Sequence, residues 1–296
     1  MTTGLDTTAI KVITEPSVYL IGKQQLNDAE LDRFLADHGV TWESDSEVAA
    51  EVITETAGRV CYMSFAKPRP GGNAAYLGHI KETSHGSVLE HAVWTFMITG
   101  VSRSLTHELV RHRAGFGYSQ LSQRYVDESI AEYVEPDIIA NDYELHEIWL
   151  DAVGYAHRAY VKLVDKLNEK LVNRRCRLCA DGRISCDVCN GTGWIHSKLL
   201  PQDHNNATVR RKTARQAARS VLPNATETKI TVTLNARSAR HFLEQRGSVF
   251  ADPEIRKLAN KVLDILQVEA PNLFGDYQKT LLPDGTFDLQ TPFRKV

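Results

Sequence analysis

The stretch KITVTLNARSARHFLEQR, Lys229 to Arg246, changes its period midway, and that change restricts the fold more than any other feature of the chain. Ile230, Val232 and Leu234 alternate with Thr231 and Thr233, the pattern of a strand with one buried face. Such a strand needs sheet partners and a covering layer. The segments SVYLI and VWTFMIT, the second running through Thr99, read as further strands. Helical spacing supplies the cover. It occurs from Asn27 to Ala36, from Glu47 to about Val60, and from about Asp142 to Val172, where Leu145, Ile148, Trp149, Val153, Ala156, Tyr160, Leu163 and Leu167 read as core. Asp252 and Pro253 mark an N-cap and first turn, and Ile255, Leu258, Val262, Ile265, Leu266 and Ala270 continue that helix to Pro271.

With 296 residues and 42% hydrophobic content the chain can bury a sizeable core, as one large domain or two small ones. Lys and Arg number 35 against 37 Asp and Glu, a formal charge of -2, so any anion site has to be local. Three local clusters stand out. SRSLTHELVRHR places Arg103, His107 and Arg111 at helical spacing on one face and leads into RHRAGFGYSQLSQRY, a glycine-bearing aromatic loop among cations. TVRRKTARQAARSVLP reads as a helix ending near Pro223 with Arg211, Arg215 and Arg219 along one face, and NARSARHFLEQR is the third cluster. One arginine stripe is usually a solvated helix face, whereas three, mixed with His, Asn and Ser, suit a polyanionic, nitrogen-rich ligand. The residues alone point to a nucleotide or dinucleotide. No GxGxxG follows a strand and no GxxxxGK[ST] occurs, which excludes a Rossmann or P-loop explanation, and Ser122 lies in no GxSxG elbow. MTTGLDTTAIKVITEP lacks the features of a signal peptide and no apolar run approaches a membrane span, so a cytoplasmic protein is expected.

RHRAGFGYSQLSQRY resembles the signature of the flavin-dependent thymidylate synthases, which read Arg-His-Arg, usually seven residues, then Ser, typically followed by Arg-Tyr. HGSVLEH, SRSLTHELVRHR, ARSVLP, LNARSARHFLEQR and EIRKLA occur in the family's order, so the likeness covers roughly Arg59 to Tyr277 apart from the cysteine segment. Two departures stand against it. Eight residues, AGFGYSQL, separate Arg113 from Ser122, and Cys61 stands where a small hydroxyl residue is often found; it reads as a buried small apolar side chain. The resemblance implies an α+β fold with a mixed or antiparallel sheet flanked by helices, in a homotetramer with active sites between subunits. It implies conversion of dUMP to dTMP with methylenetetrahydrofolate as carbon donor and FAD reduced by NADPH, without a cysteine nucleophile. By the same likeness Arg246 is the catalytic residue, with Glu108, Arg111, Gln120, Ser122, Arg124 and Arg219 on the nucleotide. His85, Ser87, Arg111, His112, Arg113, Gln120, Asn235, Arg237 and His241 match the FAD positions. Asn235 can also cap the following helix, and a lone histidine such as His85 or His91 is more often structural.

Cys176, Cys179, Cys186 and Cys189 form CxxC, six residues, CxxC, the spacing of two knuckles that give four thiolates to one Zn²⁺. Residues 174–206 therefore read as an inserted four-cysteine zinc-knuckle segment within a domain made of residues 1–173 and 207–296. A metal-stapled hairpin is favoured over a docking site or a redox CxxC, because so short a segment needs a staple to fold. Two other functions stay open: methylation of a different uridine nucleotide such as UMP, and a zinc-containing nucleic-acid-binding or scaffold protein. The near-neutral charge argues against the latter, and no membrane association is expected.

Overall fold

A computed structural model describes residues 10–66, 70–171, 174–176, 178, 187–189, 194–195 and 206–296. In chain order the elements are β1 (Lys11–Ile13), β2 (Ser17–Lys23), α1 (Asp28–Asp37), α2 (Ala49–Val60), α3 (Gly72–Glu82), β3 (Val93–Ser102), α4 (Arg103–Leu109), β4 (Phe116–Gln120), β5 (Glu132–Val134), α5 (Asp137–Ala140) and α6 (Tyr143–Lys170). They continue with β6 (Arg174–Arg175), β7 (Trp194–Ile195), α7 (Ala207–Ala218), β8 (Glu227–Asn235), α8 (Ala236–Arg246), α9 (Pro253–Glu269), α10 (Pro271–Phe274), β9 (Gln278–Leu281) and β10 (Phe287–Gln290). The chain divides into two compact units, a larger one of Thr14–Gln120 and Thr228–Val296 and a smaller one of Met1–Ile13 and Leu121–Glu227.

The larger unit is built on a sheet of order β2-β3-β8-β4, with β2 antiparallel to β3 and β4 antiparallel to β8. The alternation in KITVTL does what its period requires: Ile230, Val232 and Leu234 are buried with Trp94, Phe96 and Ile98 of β3. Ala239, Phe242 and Leu243 of α8 and the apolar stripe of α9 belong to the same core. Each large side chain removed from water there contributes about 2 kcal/mol. This is an antiparallel sheet flanked by helices, as expected. Asp252 caps α9 through Glu254 N at 2.9 Å, with Pro253 in the first turn, also as expected.

Four sequence expectations are corrected. RHRAGFGYSQLSQRY is not a loop throughout: Phe116–Gln120 form β4, paired from Phe116 opposite Leu234 to Gln120 opposite Ile230. Two glycines obscured a period of two in which Phe116, Tyr118 and Gln120 are half-buried while Gly117 and Ser119 are exposed. Second, α4 stops at Leu109, so Arg111 lies in a turn and shares no helix face with Arg103 and His107; the Tyr118 hydroxyl lies 2.8 Å from the Leu109 carbonyl and 2.7 Å from that of His112, holding the chain in that turn. Third, the stripe on α6 is mostly not core of this chain. Val153 and Tyr160 are buried, whereas Leu145, Ile148 and Leu163 are exposed, because helical period reports an apolar face and not what covers it. Fourth, Cys61 is exposed, its thiol 3.3 Å from the Ala57 carbonyl at the end of α2.

The smaller unit holds β1 and β5 in parallel, α6 packed on α7, and an ion pair of Arg215 with Asp127 at 2.7 Å. Arg215 also donates to the Tyr125 carbonyl at 2.6 Å, so this member of the second arginine stripe is a structural tie. Of the four clustered cysteines, Cys176 and Cys189 are buried in contact with each other, and Cys179 and Cys186 lie outside the described residues. Among the described residues no group of three metal-binding side chains assembles.

A buried ion cluster ties the end of the larger unit to its core. Arg240, with no solvent exposure, donates to Asp276 at 2.9 and 2.8 Å, and Lys81 donates to the same carboxylate at 2.6 Å. Burial alone would push the Asp276 carboxyl up, but the bonds and charge of Arg240, with Lys81, hold it at about 2. A carboxylate depressed in the folded state gives stability that is complete above its unfolded pKa of about 4 and is lost as pH falls toward 2. Replacing Asp276 with Asn is expected to cost about 3 kcal/mol at pH 7 and to flatten the pH dependence of denaturant unfolding between pH 4 and 2.

Candidate functional site

The cationic positions that sequence singles out in the larger unit are brought together by three local devices. The first starts α4. Ser102 is its N-cap, accepting from Leu105 N at 3.0 Å, and Glu254 accepts from the Ser102 amide and hydroxyl at 2.7 and 2.6 Å. Glu108 near the other end of this short helix is thereby fixed relative to α9. The second is the turn after α4 held by Tyr118. The third starts α8: the Asn235 side chain accepts from Ser238 N at 2.8 Å while the Ser238 hydroxyl accepts from Asn235 N at 3.1 Å. The capping role expected of Asn235 is present.

The eight-residue spacer meets that third device. Gly115 sits at φ 72, and its carbonyl accepts from Asn235 N at 3.2 Å and from the Ser238 hydroxyl at 3.1 Å. A Cβ at Gly115 would come within 2.6 Å of Asn235 Nδ2 and 2.9 Å of Ser238 Cβ, so both conformation and space demand glycine.

Two cavities lie along α8, one beside its C-terminal half and one beside its first turns. One of about 380 Å³ is lined by Arg111, His112, Arg113, Phe116, His241 and Arg246, among others. A second of about 370 Å³ is lined by residues including Glu90, Asn235, Arg237, His241 and Glu244. Ala114 and His241 line both. The N-terminus of α8 adds the positive end of a helix dipole beside Arg237 in the second cavity, which favours an anion there.

Arg246 is the most constrained cation in the first cavity. Its Nη1 donates to Glu108 Oε2 at 2.5 Å and its Nε donates to His112 Nε2 at 3.1 Å; Nη2 has no partner among the described residues. A histidine nitrogen that accepts from a guanidinium carries no proton, so His112 is neutral with its hydrogen on Nδ1. Burial, the charge of Arg246 and then His241 lower its pKa to about 4, in agreement with that tautomer. The ring is packed edge-on by Phe242 at 5.6 Å and His241 at 5.7 Å.

The remaining expected site residues divide as follows. His85 and Ser87 are exposed around the 3-10 turn Gly86–His91, and Arg237 pairs with Glu90 of that turn at 2.6 Å. Gln120 donates to Thr106 Oγ1 at 3.0 Å and Thr228 Oγ1 at 3.3 Å. Ser122, Arg124 and Arg219 belong to the smaller unit, where Arg219 caps α7 and the Nε of Arg124 is buried without a partner. Sequence reasoning missed Tyr118, which holds the Arg111 turn, and Arg240, which sits in the third cluster yet is a buried anchor. The alternation of Phe116, Tyr118 and Gln120 was the available signal for the first; nothing local distinguishes Arg240 from its neighbours.

Residues 45–272 match the model of the family described as thymidylate synthase complementing protein. The flavin-dependent thymidylate synthase of Mycobacterium sp. (strain JLS) is 47% identical over 261 residues, covering 88% of this chain and 92% of that protein. The protein of the same name from Corynebacterium diphtheriae is 41% identical over 279 residues, 92% of this chain and 98% of the relative. That from Mycobacterium tuberculosis (strain ATCC 25177 / H37Ra) is 45% identical over 255 residues, 86% and 89% of the two chains. A match over this length, carrying the Arg-His-Arg turn and the LEQR arginine, means that the chain belongs to the thymidylate synthase complementing protein family.

Proposed function

We propose that this protein makes thymidylate from deoxyuridylate by reductive methylation, with methylenetetrahydrofolate as carbon donor, FAD as cofactor and NADPH as reductant. The observation that carries the reading is the Arg246 guanidinium, held on two sides by Glu108 and His112 in a cation-lined cavity. The cavity linings fit a flavin dinucleotide in chemistry: planar donors at Arg111, Arg113 and Arg237 for phosphate and ring acceptors, and the N-terminus of α8 beside the second cavity. A bound flavin supplies the hydride. Relatives at 41% to 47% identity that carry the name flavin-dependent thymidylate synthase support the reading.

The chemical problem is to make uracil C5 nucleophilic without an enzyme thiol. None of the described cysteines lines either cavity. Removing or polarising the N3 proton puts negative charge on the pyrimidine and so makes C5 nucleophilic, and a guanidinium already oriented there stabilises that charge with no reorganisation at the moment of reaction. Arg246 has Nη2 to spend on that charge. Neutral His112 accepts from Arg246 without adding a competing cation. Glu108 and Arg111 position the nucleotide from one subunit, and Gln120, Ser122 and Arg124 approach it from another, with Arg219 a further contact. His85, Ser87, Arg111, His112, Arg113, Gln120, Asn235, Arg237 and His241 hold the flavin. A homotetramer with active sites between subunits, working in the cytoplasm, is part of this proposal. The exposed apolar residues of α6 and the buried, unpartnered Nε of Arg124 support the shared site. No helix among the described residues is long and apolar enough to cross a membrane.

Residues 174–206 are proposed as an inserted segment in which Cys176, Cys179, Cys186 and Cys189 hold one structural zinc. Supporting it, Cys176 and Cys189, distant in the CxxC pair of knuckles, are buried together.

Mass detection of methylated product, with dUMP and UMP offered separately alongside FAD, NADPH and methylenetetrahydrofolate, tests the function. Product from dUMP is expected; product only from UMP, or from neither, overturns it. Arg246→Ala is expected to lower the rate of methyl transfer by about 10²- to 10³-fold while FAD absorbance at about 450 nm is retained after gel filtration. Full activity in that variant would remove Arg246 from the reaction. For the metal, thiol modification with a mercurial in the presence of a zinc indicator is expected to release one zinc per chain and to lower the thermal unfolding temperature; absence of released zinc would refute the four-thiolate assignment.

A further inference from the structure

Residues 291–296 cross the larger unit as a strap, and its anchors are unusual. Buried Arg240 donates to Thr291 Oγ1 at 3.2 Å and to the Phe293 carbonyl at 3.1 Å. The Thr291 hydroxyl donates to Asp276, and the Lys81 ammonium lies 5.3 Å from the centre of the Phe293 ring. Beyond Phe293 the amide of Lys295 donates to both carboxylate oxygens of Glu244, at 3.1 and 3.2 Å. Lys295 itself sits at φ 61, a conformation a lysine adopts only when its surroundings impose it. The strap then passes Gly86 so closely that a Cβ there would lie 2.5 Å from the carbonyl carbon of Val296 and 2.8 Å from Arg237 Nε.

That route makes Lys295 and Val296 part of the lining of the second cavity, with Glu90, Arg237 and Glu244. The charges in that lining pose a problem for a phosphate-bearing ligand. Glu90 is spent on Arg237 at 2.6 Å. Glu244 is 6% exposed, and without the strap its carboxylate would lose both the Lys295 amide and Arg294, whose Nε lies 4.0 Å away. A bare carboxylate in a poorly hydrated wall repels a second anion more strongly than the same group in water.

We propose that the strap of residues 291–296 is a cofactor-binding element: its Lys295 amide holds both oxygens of Glu244, and it brings the Lys295 side chain to the wall of a cavity that takes a phosphate-bearing dinucleotide. The inference rests on the flavin reading of this cavity. It predicts that the strap raises cofactor affinity, the opposite of a segment that blocks the site. Gly86 is then needed because the strap, the 3-10 turn and Arg237 converge there, and only a residue without Cβ leaves room.

The test is FAD affinity of the apoprotein, measured by flavin fluorescence titration, for wild type, Gly86→Ala, Lys295→Glu, a protein lacking residues 291–296, and that deletion combined with Glu244→Gln. Far-UV circular dichroism and a thermal melt report folding of each. Wild type that binds no FAD would overturn the flavin reading itself. With wild type binding, each of the two point variants and the deletion is expected to weaken FAD about tenfold or more, with the effect of Lys295→Glu reduced at high salt, and Glu244→Gln is expected to recover most of the loss in the deletion background. Unchanged or tighter binding in folded Gly86→Ala and Lys295→Glu proteins would overturn the role of the strap. Failure of Glu244→Gln to rescue a folded deletion protein would overturn the masking of Glu244. Should the deletion not fold, the two point variants decide.

Discussion

One carbonyl, that of Gly115, carries much of the arrangement. It accepts from the Asn235 amide and the Ser238 hydroxyl, joining the turn before β4 to the first turn of α8. Because β4 then runs in register along β8, the place where the Arg-His-Arg turn ends and the place where α8 begins are fixed by the same few bonds. Residues 111–114 and Phe116 of the first terminus line the first cavity, and Ala114, Gly115, Asn235 and Ser238 at the junction line the second. A glycine in the left-handed region is the only residue that fits under the cap.

The arginines of α8 show how one cluster serves separate purposes. Arg237 and His241, one turn apart, line the second cavity, and Arg246 ends the helix in the first. Arg240 faces the opposite way and is consumed by Asp276, the Phe293 carbonyl and Thr291. Its Nη1 and Nη2 donors are taken by charge and carbonyls together while its Nε is buried without a hydrogen-bond partner, and the same cluster fastens the chain beyond α10.

Legibility in the sequence followed the range of the physics. Alternation in KITVTL and the Asp252-Pro253 start were readable because each is set by neighbours within a turn or a strand. The end of α4 was not, because it is set by Tyr118, nine residues after Leu109 and on another element. The stripe on α6 was read correctly as apolar and incorrectly as this chain's core, since burial depends on what packs against it. In the site, the arginine clusters announced an anion, but the tautomer of His112 and the pairing of Glu108 with Arg246 depend on residues far apart in sequence, and only the assembled α4, turn and α8 reveal them.

The pairing of β4 with β8 has a consequence for how the molecule comes to be made. Gln120 ends one strand and Glu227 begins its neighbour, so the whole segment Leu121–Glu227 is synthesised between two strands that must lie side by side. Closing so long a loop is entropically expensive while the intervening chain is a random coil, and less so once that chain has collapsed and its ends are near. Local α6 and α7 contacts give the segment the means to collapse on its own. In synthesis β8 and α8 follow the excursion, so the cap at Gly115 joins chain made before it to chain made after it. The two cavities beside α8 therefore draw on residues synthesised before that excursion and on residues synthesised after it.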